Sequence, residues 1–344
     1  MNISDKVLNI NLPRCACCIM PDVKGHFELN EKSVCPSCQV LQSKDKEDKK
    51  GSFDKRSSEE KKQIFLKKLK RYQTDGKYDC AVAVSGGKDS LMTLYIAHDL
   101  GLHPLAIFVD NGFALDVMYQ NIWNACDTLE TDCLVYKTSE MKKLFRYFLE
   151  SRKKIYYCRA CHILLEAVLK QICRNYGIRL LLGGYTKGQS YFKESELSWI
   201  FEESDKNTLE VLRQHIDCRE YLELYEDPIR YSFNHFRDIA TISPFKYLDY
   251  DEEEIVDILR EKLSFSVATD SWPENSTNCS FNYVSQYLAQ TQFGYSQHET
   301  EFSDLIRAGE MTRERALKLV NTPITEGKVR EELNKLGLKL EDII

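Results

Sequence analysis

The chain has 344 residues, 43% of them hydrophobic and 29% charged, with a net charge of −6. That is about twice the length of a ~150-residue domain and implies two or three units. No apolar run approaches the ~20 residues that cross a bilayer, the first residues form no signal-peptide core, and the acidic balance argues against a broad nucleic-acid footprint.

A cytoplasmic protein is therefore expected, in which the thirteen cysteines act as metal ligands or reactive thiols rather than disulfides. The first unit, residues 1–45, carries Cys15 and Cys18, then Cys35 and Cys38, as two C-x2-C pairs with sixteen residues between them. This is the spacing of a zinc knuckle, in which four thiolates surround one tetrahedral Zn2+. Cys17 competes as a ligand, but Cys18 preserves the two-residue gap; an Fe–S cluster is the alternative occupant. A connector follows over 46–77. From 41 to 77, thirteen Lys and Arg against seven Asp and Glu give +6, along a helix bearing Ile64, Phe65, Leu66, Leu69 and Tyr72. Such a run is a solvated face or a docking surface for an acidic carrier protein or RNA.

Residues 78–250 alternate short apolar runs (80–84, 104–109, 133–136, 178–182) with helical patterns (90–100, 114–129, 139–151, 161–176). This pattern predicts an α/β fold with a doubly wound parallel sheet. Ligands of such sheets lie beyond the carboxyl ends of the strands. Ser85-Gly86-Gly87-Lys88-Asp89-Ser90 sits there, directly after the first strand. Glycines let backbone approach a phosphate, and the free N–H groups of the next helix favour negative charge. The hexapeptide is neither a Walker loop nor Gly-x-Gly-x-x-Gly. Asp110 and the pair Gly183 and Gly184 end two further strands at the same crevice. Asp110 either meets adenosine or magnesium there, or caps the next helix.

Cys158 and Cys161 form a third C-x2-C pair, at a predicted helix start, where thiol pKa values fall. Cys279 lies in a polar, turn-rich stretch. These three suit a 4Fe-4S cluster with one open iron, or persulfide chemistry at Cys158 and Cys161, or a purely structural role. Cys80, Cys126, Cys133, Cys173 and Cys218 read as small hydrophobes. An aromatic and acidic insertion at about 190–238 is either a substrate lid or surface helices packed on the sheet. Residues 251–344 are predicted to be a C-terminal helical region. Its Arg307 and Arg313 either reach an anionic substrate or stay solvated or salt-bridged.

Arg14–Pro21, the second cysteine pair, Ser85–Ser90, Phe108–Phe113, Cys158–His162, 242–254 and 306–316 together resemble the PP-loop ATP pyrophosphatase family with an N-terminal zinc knuckle, of adenine nucleotide alpha hydrolase-like fold. The resemblance implies ATP and Mg2+ at Ser85–Ser90, with Asp89 as the magnesium-linked carboxylate and Lys88 and Ser90 on the phosphates. A substrate carbonyl oxygen would attack the α-phosphate and release pyrophosphate. Two branches share the layout: thioamide-forming and thiolation enzymes, and N-acetyl sugar amidotransferases of surface-glycan pathways. Sulfur transfer through Cys158, Cys161 and Cys279 to a small-molecule or carrier-bound substrate is the first expectation. The alternative is an acetamidino sugar made with ammonia from a partner glutaminase, since no glutaminase signature appears in this chain. A nucleotide-binding zinc scaffold without catalysis is the remaining reading. The stretch Gly183–Ser190 departs from the Gly-His-x-x-Asp-Asp of tRNA thiolases, which speaks against tRNA as substrate. A homodimer is compatible with the sequence.

Overall fold

The structure is a computed structural model that describes residues 7–8, 12–43, 56–186, 198–273, 278–294 and 296–343. It begins with β1 (Val7–Leu8), α1 (Pro36–Ser43) and α2 (Ser58–Tyr72). The alternating region runs β2 (Cys80–Ala83), α3 (Lys88–Asp99), β3 (Pro104–Asp110), α4 (Asp116–Thr128), β4 (Cys133–Lys137), α5 (Glu140–Glu150), α6 (Tyr157–Asn175) and β5 (Leu180–Gly183). Then come α7 (Ser198–Gln214), α8 (Leu222–Glu226), α9 (Pro228–Phe236), β6 (Ala240–Ile242) and α10 (Glu252–Leu263). The last elements are α11 (Asn282–Leu288), α12 (Gln297–Ala308), α13 (Arg313–Val320), β7 (Ile324–Thr325) and α14 (Glu326–Asn334).

Five strands form a parallel sheet in the order β4-β3-β2-β5-β6. Because strand side chains alternate, each apolar run feeds two cores. Cys80, Val82, Ala106, Phe108, Leu180 and Leu182 pack under α2, α3, α4 and α10. Ala81, Leu105, Ile107 and Leu181 face α6 and α9 on the other side. The order reverses at β2, which sends α3 and α6 to opposite faces and opens a crevice at its carboxyl end. The basic connector helix belongs to this layer. Ser57 and Glu60 close its first turn as a capping box, and Phe65 and Leu69 are buried on the sheet.

Three features lie outside the predicted pattern. β6 is a three-residue edge strand beside β5. β1 pairs antiparallel with β7, tying the first residues to the last helices. α6 begins at Tyr157, four residues before the predicted start at 161, so both Cys158 and Cys161 lie within its first turns. The described part of the insertion packs on that same end of α6. Arg159 forms a two-pronged pair with Asp205 at 2.7 and 2.8 Å, and the Tyr225 hydroxyl donates to the Ala160 carbonyl. Residues 187–197, including Tyr191 and Phe192, lie outside the described residues, as do 274–277.

Candidate active site

The loop after β2 is shaped by close packing. Gly86 has φ +77°, and a Cβ there would sit 2.3 Å from the Met118 carbonyl oxygen. Gly184, just past β5, touches the same loop from the other side. A Cβ on it would lie 2.6 Å from the Asp89 carbonyl carbon and 2.7 Å from Ser90 N. The turn is tied internally as well: Ser85 N–H and Oγ donate to Ser90 Oγ at 3.0 and 3.1 Å, and Ser90 Oγ donates to the Gly87 carbonyl. Asn121 Nδ2 donates to the Gly86 carbonyl at 3.0 Å, and Asn278 Nδ2 to that of Ser85 at 3.5 Å. Gly87 then caps α3 in an extended conformation with no side-chain cap, which leaves the first N–H groups of the helix for an anion.

Charged groups flank this cradle. Lys88 Nζ lies 3.1 Å from Asp89 Oδ2 and 3.8 Å from Glu252 Oε1. Burial works against the ammonium, but Asp89, Tyr250 and Glu252 outweigh it and hold its pKa well above the usual range. The Tyr250 hydroxyl donates to Asp89 Oδ1 at 2.8 Å and fixes the carboxylate. Tyr250, Glu252 and Asn278 are site residues that the sequence alone does not single out.

A cavity of about 1070 Å³ opens from this loop. Ser85, Gly87, Lys88, Asp89, Ser90, Gly183 and Gly184 line it, and so do Cys158, Cys161 and Cys279. Two predicted groups, the loop ending at Ser90 and the cysteines beginning 68 residues later at Cys158, thus share one chamber. Asp110 does not line it. It is 2% exposed, accepts from Gly112 N–H at 2.8 Å and lies 3.5 Å from Lys137 Nζ, so its role is to shape the loop after β3. That loop in turn places the thiols. Ala114 bridges Cys279, Ser280 N–H donates to Phe113 O at 2.8 Å, and Asn111 Nδ2 donates to Cys161 Sγ at 3.6 Å. Beneath them Phe113, Phe145, Tyr157 and Phe281 stack into one aromatic cluster. Cys158 Sγ faces Ser285 Oγ at 3.3 Å and Asn282 Oδ1 at 3.7 Å.

The helix start does not lower the Cys161 pKa as expected. Burial raises Cys161 to about 12, and burial with the neighbouring sulfurs pushes Cys279 well up. His162, also lining the cavity, is pushed by burial down to about 4 and is neutral at pH 7. The described residues of the insertion brace α6 and are not among those that line the cavity.

The N-terminal cysteines are arranged differently. Cys15, Cys18, Cys35 and Cys38 are buried, and their sulfurs all lie within 4.8 Å of one another. Backbone N–H groups of Cys17, Cys35, Met20 and Cys38 point at these sulfurs over 3.3–3.5 Å. Cys17 stands outside the set and accepts from Gln42 Nε2 at 3.1 Å. In the bare cluster the Cys18 sulfur pushes the Cys35 thiol up to about 12, a conflict that a cation relieves. Four soft, buried donors with N–H groups aimed at them fit a closed tetrahedral metal site. Arg307 and Arg313, which had two readings, hold this module: Arg313 Nε donates to the Cys18 carbonyl at 2.8 Å, and Arg307 Nη1 to Cys18 Sγ at 3.7 Å.

Comparisons with known proteins agree with parts of this picture. Residues 277–342 match the family model described as "LPS biosynthesis protein WbpG-like, C-terminal domain". The chain is 21% identical over 330 residues to the uncharacterized protein MJ1599 of Methanocaldococcus jannaschii, covering 95% of this chain and 100% of that one. Among solved structures, it is similar to the U34-tRNA thiolase NcsA from Methanococcus maripaludis with its [4Fe-4S] cluster, at 16% identity and TM-score 0.36, over 90% of this chain and 89% of that one. It is also similar to an NMN synthetase from Francisella tularensis, at 15% identity and TM-score 0.40, over 83% and 98% of the two chains. No helix among the described residues is long and apolar enough to cross a membrane.

Proposed function

We propose that the protein activates the amide oxygen of an acetamido sugar with ATP and then replaces that oxygen with nitrogen, as a step in building a surface polysaccharide. One observation carries the sugar assignment. The segment matching the lipopolysaccharide-biosynthesis family supplies Asn278, Cys279, Asn282, His298 and Glu301 to the chamber that holds the Ser85–Ser90 loop.

In this reading Ser85–Ser90 and the start of α3 cradle the ATP phosphates, while Lys88 offsets charge on the departing pyrophosphate and Asp89 holds Mg2+. The amide oxygen attacks the α-phosphorus, and the bond to the β-phosphate oxygen breaks. Ammonia from a partner glutaminase adds to the activated carbon, loses a proton, and AMP departs with the former amide oxygen. The chamber supplies chiefly positioning and charge stabilisation. The buried cysteines of the N-terminal module are suited to Zn2+.

Sulfur transfer remains the second reading, favoured by the meeting of Cys158, Cys161 and Cys279 at one cavity. As free thiols Cys161 and Cys279 are held protonated and are poor sulfur carriers. A 4Fe-4S cluster held by the three would supply an open iron for sulfide or substrate. The distinguishing experiment gives the protein ATP, an acetamido sugar nucleotide, 15N-ammonium and hydrosulfide, and weighs the product. Gain of 15N supports the first reading; gain of sulfur overturns it in favour of the second.

A further inference from the structure

Helix α12 is two-sided. Glu299, Ser303 and Arg307, spaced four apart, face the cysteine module. Arg14 Nη2 meets Glu299 Oε1 at 2.9 Å, Ile19 N–H donates to Ser303 Oγ at 3.3 Å, and Arg307 reaches Cys18 Sγ. On the other side His298, Glu301 and Leu305 line the cavity. The same division holds beyond the turn. Arg313 donates to the Cys15 carbonyl at 3.1 and 3.3 Å as well as to Cys18, whereas Arg315, two residues on, lines the cavity together with the turn residues Gly309–Thr312. Ile19 of the knuckle is fully buried in one apolar cluster with Ala316 and Leu319 of α13. One wall of the chamber, separate from the Ser85–Ser90 loop, is therefore made by α12, the turn and α13, and its back is held by the cysteine knuckle.

We propose that the four-cysteine module is a positioning device for the acceptor end of the chamber: with its metal bound it fixes the Cys15 and Cys18 carbonyls, and through Arg313 these fix α12 and α13. Metal binding thereby shapes the acceptor pocket without touching the nucleotide. This rests on the cavity being the reaction chamber, but not on which atom is transferred.

Arg313 is a positioning residue in this account. The test compares the metal-loaded full chain, the same chain after metal removal by a chelator, and the variants Arg313→Ala and Arg313→Lys. Hydrogen exchange is followed in 297–320 and in 80–99, with affinity for α,β-methylene-ATP measured alongside. Metal removal and Arg313→Ala should each speed exchange in 297–320 about tenfold or more while 80–99 and analogue affinity change less than about twofold. Arg313→Lys, which keeps one donor for the Cys18 carbonyl, should fall between wild type and Arg313→Ala. Unchanged exchange in 297–320, or an equal rise in 80–99, would overturn the proposal. Analogue binding by the metal-loaded chain tests the chamber's function separately, so the two readings fail by different measurements.

Discussion

The two sets of cysteines share the C-x2-C spacing and differ in almost everything else. Cys15, Cys18, Cys35 and Cys38 are packed within 4.8 Å of one another, buried, with backbone N–H groups on their sulfurs. Cys158, Cys161 and Cys279 are only partly buried and come from α6 and a bridge to the loop after β3, and they face a cavity shared with an anion cradle. Sulfurs closed on one another suit a structural metal, whereas sulfurs open to a chamber are within reach of whatever binds there. The spacing alone does not separate the two; the surroundings do.

The sharpest way to break that contrast is to remove one thiol from each set. Cys35→Ala should cost several kcal/mol, about the loss expected when a structural metal ligand goes, seen as a large fall in melting temperature and in protease resistance. Cys158→Ala should leave the melting temperature nearly unchanged and still bind ATP; product formation should persist if nitrogen is transferred and be lost if sulfur is. Equal destabilisation by both would erase the distinction.

Next in size is the cradle itself. Gly184→Ala forces a methyl against the backbone of Asp89 and Ser90. Overpacking of this kind costs about 1–3 kcal/mol, so ATP affinity should fall about 10- to 100-fold by calorimetry, with the N-terminal metal retained.

Alkali reports on the sheet's filler thiols. Burial raises Cys80 and Cys173 from the usual 9.0 to about 12. A thiol that holds its proton more tightly when folded stabilises the fold fully below pH 9 and loses that contribution as pH climbs toward 12. Each should remove about 1.4 kcal/mol per pH unit in that window. Denaturant titrations at pH 8, 9.5 and 10.5 on wild type and Cys80→Ala should show a shallower decline in the variant.

The smallest effect expected is from Tyr250→Phe, which deletes the hydroxyl that donates to Asp89. One hydrogen bond to a carboxylate is worth about 1.5–3 kcal/mol at most, less where water can replace it. Roughly a tenfold rise in the magnesium needed for half-maximal turnover is predicted, with metal content of the N-terminal module unchanged.

Much of this arrangement is legible along the chain because it is local. Short continuous apolar runs mark β2 to β5, and Ser85–Ser90 announces its cradle through glycines between a strand and a helix. The knuckle spacing singles out the four cysteines whose sulfurs cluster, with Cys18 and not Cys17 among them. What escapes is long-range. β6 is three residues at a sheet edge, too short for a period to show. The start of α6 has no Ser, Thr or Asp cap, since Tyr156 occupies that position, so its first turn looks like loop. Tyr250 and Asn278 reach the cradle only through tertiary packing. Arg307 and Arg313 look like free cations because nothing near them in sequence shows that the knuckle docks there. Asp110 appears poised for a ligand until the structure spends its oxygens on Gly112 and Lys137.

The claim on which all of this turns is that the cradle and the chamber perform one reaction, in which an acceptor oxygen displaces pyrophosphate from ATP. It is tested most directly with an acetamido sugar nucleotide carrying 18O in the acetyl carbonyl, ATP, Mg2+ and ammonium, followed by mass analysis of the nucleotide released. The account predicts pyrophosphate together with AMP that carries the 18O label. ADP and phosphate, or AMP without the label, would contradict it.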